Sequence, residues 1–114
     1  MRSYEVRVAP SAMAQVSDAV HYVRDKLRMS QVAARLLDET EEAAKGLSSM
    51  PSRFHAVGVE PLLSSGVRRM NVCGYSIFYR VDETSSTVDV FAALYGTPSD
   101  ARLRRAFQSG VGSE

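Results

Sequence analysis

His55 follows Arg53 by two residues in the stretch "PSRFHAVGVEPLLSSG". An unperturbed histidine titrates near neutrality, at about pKa 6.5, so His55 is the best-placed candidate for general acid–base work. Arg53, Arg68, Arg69 and Arg80 are the cations that could hold a phosphate or carboxylate near it. Proton-transfer chemistry on such a group needs one side chain to take a proton, one to give it, and cations for the charge that develops. The plainer reading is a solvated loop histidine among arginines that keep a surface soluble. His21 falls in a predicted helix and reads as an ordinary helix residue. Cys73 sits at a predicted turn without a clear base partner, which reads as incidental rather than nucleophilic. Ser85 and Ser86 read as turn residues. No metal-ligand spacing, glycine-rich phosphate loop or serine-hydrolase motif is present, so neither a metal nor a cofactor is expected.

At 114 residues, with 45% apolar residues, the chain is expected to form a single domain over 1–114 with a real core. Net charge is +1, so bulk charge names no partner. It is unevenly spread: residues 30–50 hold two basic and four acidic residues, whereas residues 51–81 hold four arginines and only Glu60. The lone cysteine can make no internal disulfide and no thiolate zinc site, which fits a reducing compartment. "MRSYEVRVAP" lacks the apolar stretch of a signal peptide, and no run of about 18 apolar residues exists. A cytoplasmic protein with no membrane partner is expected.

Elements must bring those side chains together. "SYEVRVAP" alternates, with Tyr4, Val6 and Val8 on one side and Glu5 and Arg7 on the other, as a strand does. Pro10 and Ser11 suit the start of a helix, whose predicted apolar stripe is Met13, Val16, Val20, Val23 and Leu27. A second helix is predicted from near Ser30, with the stripe Ala33, Leu36, Thr40, Ala44 and Leu47 and with Asp38, Glu39, Glu41 and Glu42 toward water. The short connection "RMS" makes the pair an antiparallel hairpin. Residues 51–66 follow neither period, and a loop so long in a small domain is usually functional or mobile. "VRRMNV", "YSIFYRV" and "TVDVFAALY", joined by "CG" and "DETSS", read as three strands of an antiparallel meander. Residues 98–114 are expected to hold a short helix from Ser99 to about Gln108 and then to fray. The fold class is α+β: a strand, a helical hairpin and a three-stranded meander, with the helices on one face of a mainly antiparallel sheet.

Strand parity assigns the faces. Met70, Val72, Ile77, Val81, Val88, Val90 and Leu94 can share the side that takes the hairpin. Arg69, Asn71, Phe78, Arg80, Phe91 and Tyr95 then share the other. Arginines among aromatics on an open sheet face suit an anion or a partner peptide. The alternative is a soluble face with cation–π contacts. Arg68 falls on the hairpin side, where a structural ion pair is expected.

The order of these elements resembles the ParE/RelE toxin superfamily of type II toxin–antitoxin systems over roughly residues 4–97. "VRVAPSAMAQVSDAVHYV" resembles the family's strand, proline and alanine-rich helix start. "LSSMP" resembles its leucine-to-proline exit from the second helix. "GVRRMNVCGYSIFYRVDETSSTVDVFAALYG" is similar to its glycine, arginine, strand and tyrosine-initiated strand, followed by the last strand. The resemblance implies a cognate antitoxin as partner and a dimer or a heterotetramer with it.

Two activities follow from the resemblance. RelE-like members cut messenger RNA on the ribosome with basic residues of the loop and sheet; here His55, Arg53, Arg69 and Arg80 would serve. ParE-like members inhibit DNA gyrase without such chemistry, through surfaces such as Arg69, Asn71, Phe78, Arg80, Phe91 and Tyr95. "YSIFYRVD" and the glycine after the last strand look more like ParE. ParE sequences often continue there with histidine, glycine, a small residue, arginine and aspartate, whereas this chain reads Tyr95 to Asp100 as "YGTPSD". Gln15 stands where an acid is frequent, and no lysine follows Lys45. The resemblance is thus read as a binding inhibitor first, a ribosome-dependent endoribonuclease second, and a non-toxic antitoxin-binding homologue third.

Overall fold

In a computed structural model that describes residues 3–111, strand β1 (Glu5–Val8) leads into helix α1 (Pro10–His21), which ends in a π-helical turn over Tyr22–Lys26. Helix α2 (Ser30–Gly46) returns antiparallel, as the short connection requires. A 3-10 turn (Pro51–Arg53) and the two-residue strand β2 (His55–Ala56) precede β3 (Val67–Val72), β4 (Tyr75–Asp82), β5 (Thr87–Tyr95) and helix α3 (Asp100–Val111). The sheet order is β1-β5-β4-β3-β2, with β1 parallel to β5 and the other pairs antiparallel. This is the expected α+β class with the hairpin on one face. α3 runs past the predicted end at Gln108, and fraying beyond Val111 falls outside the described residues.

Local chemistry accounts for the turns. Cys73 and Gly74 both have positive φ (50° and 83°), the two-residue turn whose twist matches a hairpin. Gly66, at φ 81°, lies where an added Cβ would stand 3.0 Å from the Val81 carbonyl oxygen, so β3 starts against β4 only because that position is glycine.

On the hairpin face, Met70, Val72, Ile77, Tyr79, Val88 and Val90 pack with Ala12 and Leu47, and Tyr4, Val6 and Phe54 close the margin. Of the predicted stripe, Val16, Val20 and Val23 turn inward, joined by the small residues Ala12 and Ala19. Ala12, Ala19 and Val23 are buried, while Met13 and Leu27 are 61% and 46% exposed. Close packing of α1 on β5 takes small side chains, which a search for large apolar residues passes over.

The other face is not open, and that expectation is corrected. Val57 and Leu62 of the 51–66 segment, together with Leu103, Ala106 and Phe107 of α3, cover Val67, Phe78, Phe91, Ala92 and Leu94. A β-bulge moves the register so that Phe78 faces Ala92 while Tyr79 faces Val90, which leaves Phe91 as the extra residue of β5. Beyond the bulge, parity in β5 is reversed. Leu94, expected against the hairpin, joins the second core, and Tyr95 turns toward Tyr75 on the hairpin side. Among the described residues no helix is long and apolar enough to cross a membrane.

Candidate functional site

β2 and β3 place His55 directly across from Arg69, because their antiparallel register pairs these two positions. Both line a pocket of about 250 Å³ together with Phe78, Thr97, Pro98 and Asp100. β2 is too short to show a period, so its pairing was invisible in the sequence. Asp100 was missed because it comes from the first turn of α3, far along the chain. One imidazole, one guanidinium and one carboxylate thus meet at a half-open site. It can hold a small polar group, and the carboxylate offsets the cation for an anionic one.

The other expected site residues are dispersed. Arg53 lies over the Phe54 ring with its guanidinium carbon 4.8 Å from the centroid, turned to its own neighbour. Phe78 and Phe91 are 0% and 1% exposed, so they are core residues rather than contact residues; a side chain with no accessible surface cannot meet a partner without unfolding its cover. Arg80 shares the face of Arg69, as parity requires. Arg69 stands opposite Phe78 and Arg80 opposite Val67, so apolar side chains lie on the diagonal between the two cations. Arg80 instead ends a row of alternating charge across three strands. Arg7 donates Nε to Asp89 at 3.1 Å, Asp89 is the ladder partner of Arg80, and Arg80 Nη2 is 3.8 Å from Asp82. The backbone N–H of Ser85 holds the Asp82 carboxyl below its usual range, with Thr84 and Arg80 adding to it. The counter-charges for Arg80 are therefore within the chain.

Arg68 lies on the hairpin side as expected, with a different partner: it donates to the Phe54 carbonyl at 2.6 Å rather than to a carboxylate. Beside it, buried Tyr79 donates its hydroxyl to the Pro51 carbonyl at 2.6 Å, and burial pushes its pKa up to about 12. These two bonds pin the start of the long loop to the hairpin face. The Cys73 thiol donates to the Glu39 carboxylate, and that bond raises its pKa, which disfavours the thiolate. His21 sits on the exposed side of α1, within 2.6 Å of Arg24. Among the described residues no group of metal-ligating side chains is clustered.

Exposed aromatic and apolar side chains also offer contact surface. Tyr95, 71% exposed, meets Tyr75 edge to face at 5.2 Å on the hairpin side, whereas exposed Asn71, whose Oδ1 is 3.4 Å from the Ser76 hydroxyl, lies on the opposite face. The larger surface is an apolar groove of about 410 Å³ along the hairpin, lined by Val8, Met13, Val16, Val20, Leu37 and Ala44, with His21, Arg24 and Glu41 among its polar residues. The signal for this groove was in the sequence: α1 carries more apolar residues than one buried stripe can hold, and the surplus, Met13 above all, faces out.

Comparison with known proteins follows the same lines. Residues 6–96 match the family model described as the ParE toxin of the type II toxin–antitoxin system parDE. Among solved structures, the chromosomal ParDE system from P. aeruginosa superimposes with a TM-score of 0.65 at 17% identity, covering 83% of this chain and 98% of that one. The toxin–antitoxin complex RelBE2 from Mycobacterium tuberculosis gives 0.54 at 20% identity over 82% and 98%. A mutant of the E. coli toxin RelE in the free state gives 0.56 at 14% identity over 96% of both chains. These identities establish likeness of fold. No curated protein sequence matches the chain.

Proposed function

This chain belongs to the ParE toxin family of type II toxin–antitoxin systems, and on that premise we propose that it is a ParE-like inhibitor of DNA gyrase, acting in the cytoplasm and neutralised by a cognate antitoxin. One observation carries the choice of binding over bond breaking: the four side chains a nuclease would use do not converge. Arg53 is turned to Phe54, Arg80 is beside Asp82, and only His55 and Arg69 share a pocket. Cleavage of a phosphodiester needs an acid, a base and cations aimed at one point. Arg69 and Asn71 on one face, and exposed Tyr95 on the other, are offered as target contacts.

The antitoxin reading rests on the hairpin groove. The second sheet face, where a partner was first expected, is occupied by the chain's own loop and α3. Apolar surface of this kind marks interaction sites. An extended or helical antitoxin segment would lay apolar side chains over Met13 and Leu37 and become ordered on binding. The ParDE and RelBE2 structures, which are of toxin–antitoxin systems, support an antitoxin partner, and a dimer or heterotetramer with it is part of the proposal.

A supercoiling assay with gyrase, run beside a cleavage assay on ribosome-bound message, tests the proposal. Supercoiling should fall in proportion to added toxin, message should stay intact, and co-expressed antitoxin should restore gyrase. A second reading, a RelE-like endoribonuclease acting on mRNA in the ribosome, is favoured by the His55–Arg69 pocket alone. Codon-placed cuts with gyrase unaffected would establish it and sink the first.

A further inference from the structure

Where α3 crosses the first turn of α1, a cleft of about 300 Å³ opens over the bulged Phe91. Ser11 and Gln15 of α1 and Arg102, Arg105 and Ser109 of α3 line it. The three arginines of α3 are used differently. Arg104 donates Nε to the Glu60 carbonyl at 2.9 Å and so fastens the helix to the loop. Arg102 and Arg105 line the other flank, and neither side chain makes a hydrogen bond or ion pair among the described residues. Gln15 spends its Oε1 on the backbone N–H of Ala93 at 2.8 Å, which leaves both Nε2 hydrogens as donors. No lining residue is acidic, and α1 has no acid in its first turn.

We propose that this cleft binds a phosphoryl oxyanion. Two like charges three residues apart on a helix repel unless an anion stands between them. Guanidinium groups offer paired donors that match tetrahedral and carboxylate oxygens, and the glutamine amide and the Ser109 hydroxyl add neutral donors, while Ser11 donates its own proton to the Phe91 carbonyl at 3.5 Å. The apolar floor is too small and too buried to receive the side chains of a peptide, since Phe91 is 1% exposed. The arginines come from α3, which begins after the family-matched residues 6–96 end, and nothing in the argument for the cleft uses the gyrase reading. The phosphoryl group could come from free phosphate or from a nucleic-acid backbone.

Titration of the full chain with sodium phosphate at constant ionic strength, chloride being the control, tests this by nitrogen and proton NMR. A parallel arm uses a short single-stranded oligodeoxynucleotide. Saturable shifts should be confined to Ser11, Gln15 and α3, and Arg102→Gln/Arg105→Gln should weaken binding by at least about tenfold, as the loss of charge-assisted hydrogen bonds does. Tighter binding of the oligonucleotide identifies a nucleic-acid backbone as the source, and tighter binding of phosphate identifies the free ion. If the variant does not fold, the shift map of the parent chain decides alone. Absence of saturable shifts with either anion, shifts that map outside the cleft, or unchanged binding by a folded variant overturns the proposal. So does saturation of the cleft by a glutamate-rich peptide when phosphate gives none.

Discussion

The two faces of the sheet are covered by different means. The hairpin face is closed by α1 and α2, elements adjacent in sequence and joined by a short turn, and its core is tied down by Tyr79 and Arg68 reaching loop carbonyls. The second face is closed by pieces separated in sequence, residues 57–62 and α3, and among the described residues one side-chain bond, from Arg104 to the Glu60 carbonyl, links these two pieces. The first cover is local and lies within the family-matched region; the second uses a helix beyond it. Local contacts form with little loop closure, so the hairpin face should be the more autonomous unit and α3 the first to open.

The largest expected effect tests whether the second face is a true core. Phe78→Ala removes a ring with no exposed surface, and urea unfolding should show a loss of about 3–5 kcal/mol. A loss below about 1 kcal/mol would mean the second cover is loosely held. Leu103→Ala sharpens the comparison. It should cost about 2–5 kcal/mol locally, so that hydrogen exchange rises in α3 and residues 57–62 while β3 and β4 stay protected. Uniform loss of protection would contradict the division into two units.

Tyr79→Phe tests the tie on the hairpin face. It leaves the Pro51 carbonyl without its partner and should cost about 1–3 kcal/mol. The pH dependence has a definite sign. Folding raises this pKa from an ordinary value of about 10 to about 12, so the folded state holds the proton more tightly. That contribution is complete below about pH 10 and is lost as pH rises through about 12. The alkaline slope of stability should therefore flatten in Tyr79→Phe.

Smaller effects separate function from folding. Met13→Asp, in the exposed groove, should leave stability within about 1 kcal/mol and weaken antitoxin binding by at least about tenfold. Unchanged affinity in a co-purification titration would remove the groove from the interface. Arg80→Ala should change stability least, by less than about 1 kcal/mol, with the difference fading at high salt. An early melt would mean the charge row across β1, β5 and β4 holds more of the sheet than surface pairs usually do.

What the sequence determined by itself was whatever depends on neighbours along the chain. Alternation in residues 67–95, the period of residues 11–47, the "CG" turn and the proline starts are local signals, and each became the element it predicted. The order of those elements was enough to bring out the toxin family. Tertiary structure alone decided which surfaces meet. A single extra residue at Phe91 reversed the parity of Leu94 and Tyr95, and no propensity marks a bulge in an apolar run. The pairing of His55 with Arg69 needed a partner strand, and the presence of Asp100 beside them needed α3 to return across the sheet. The face read as open was closed because Phe78, Phe91 and Leu94 are apolar and had to leave water, and only long-range packing could supply Leu62, Leu103 and Phe107 to cover them.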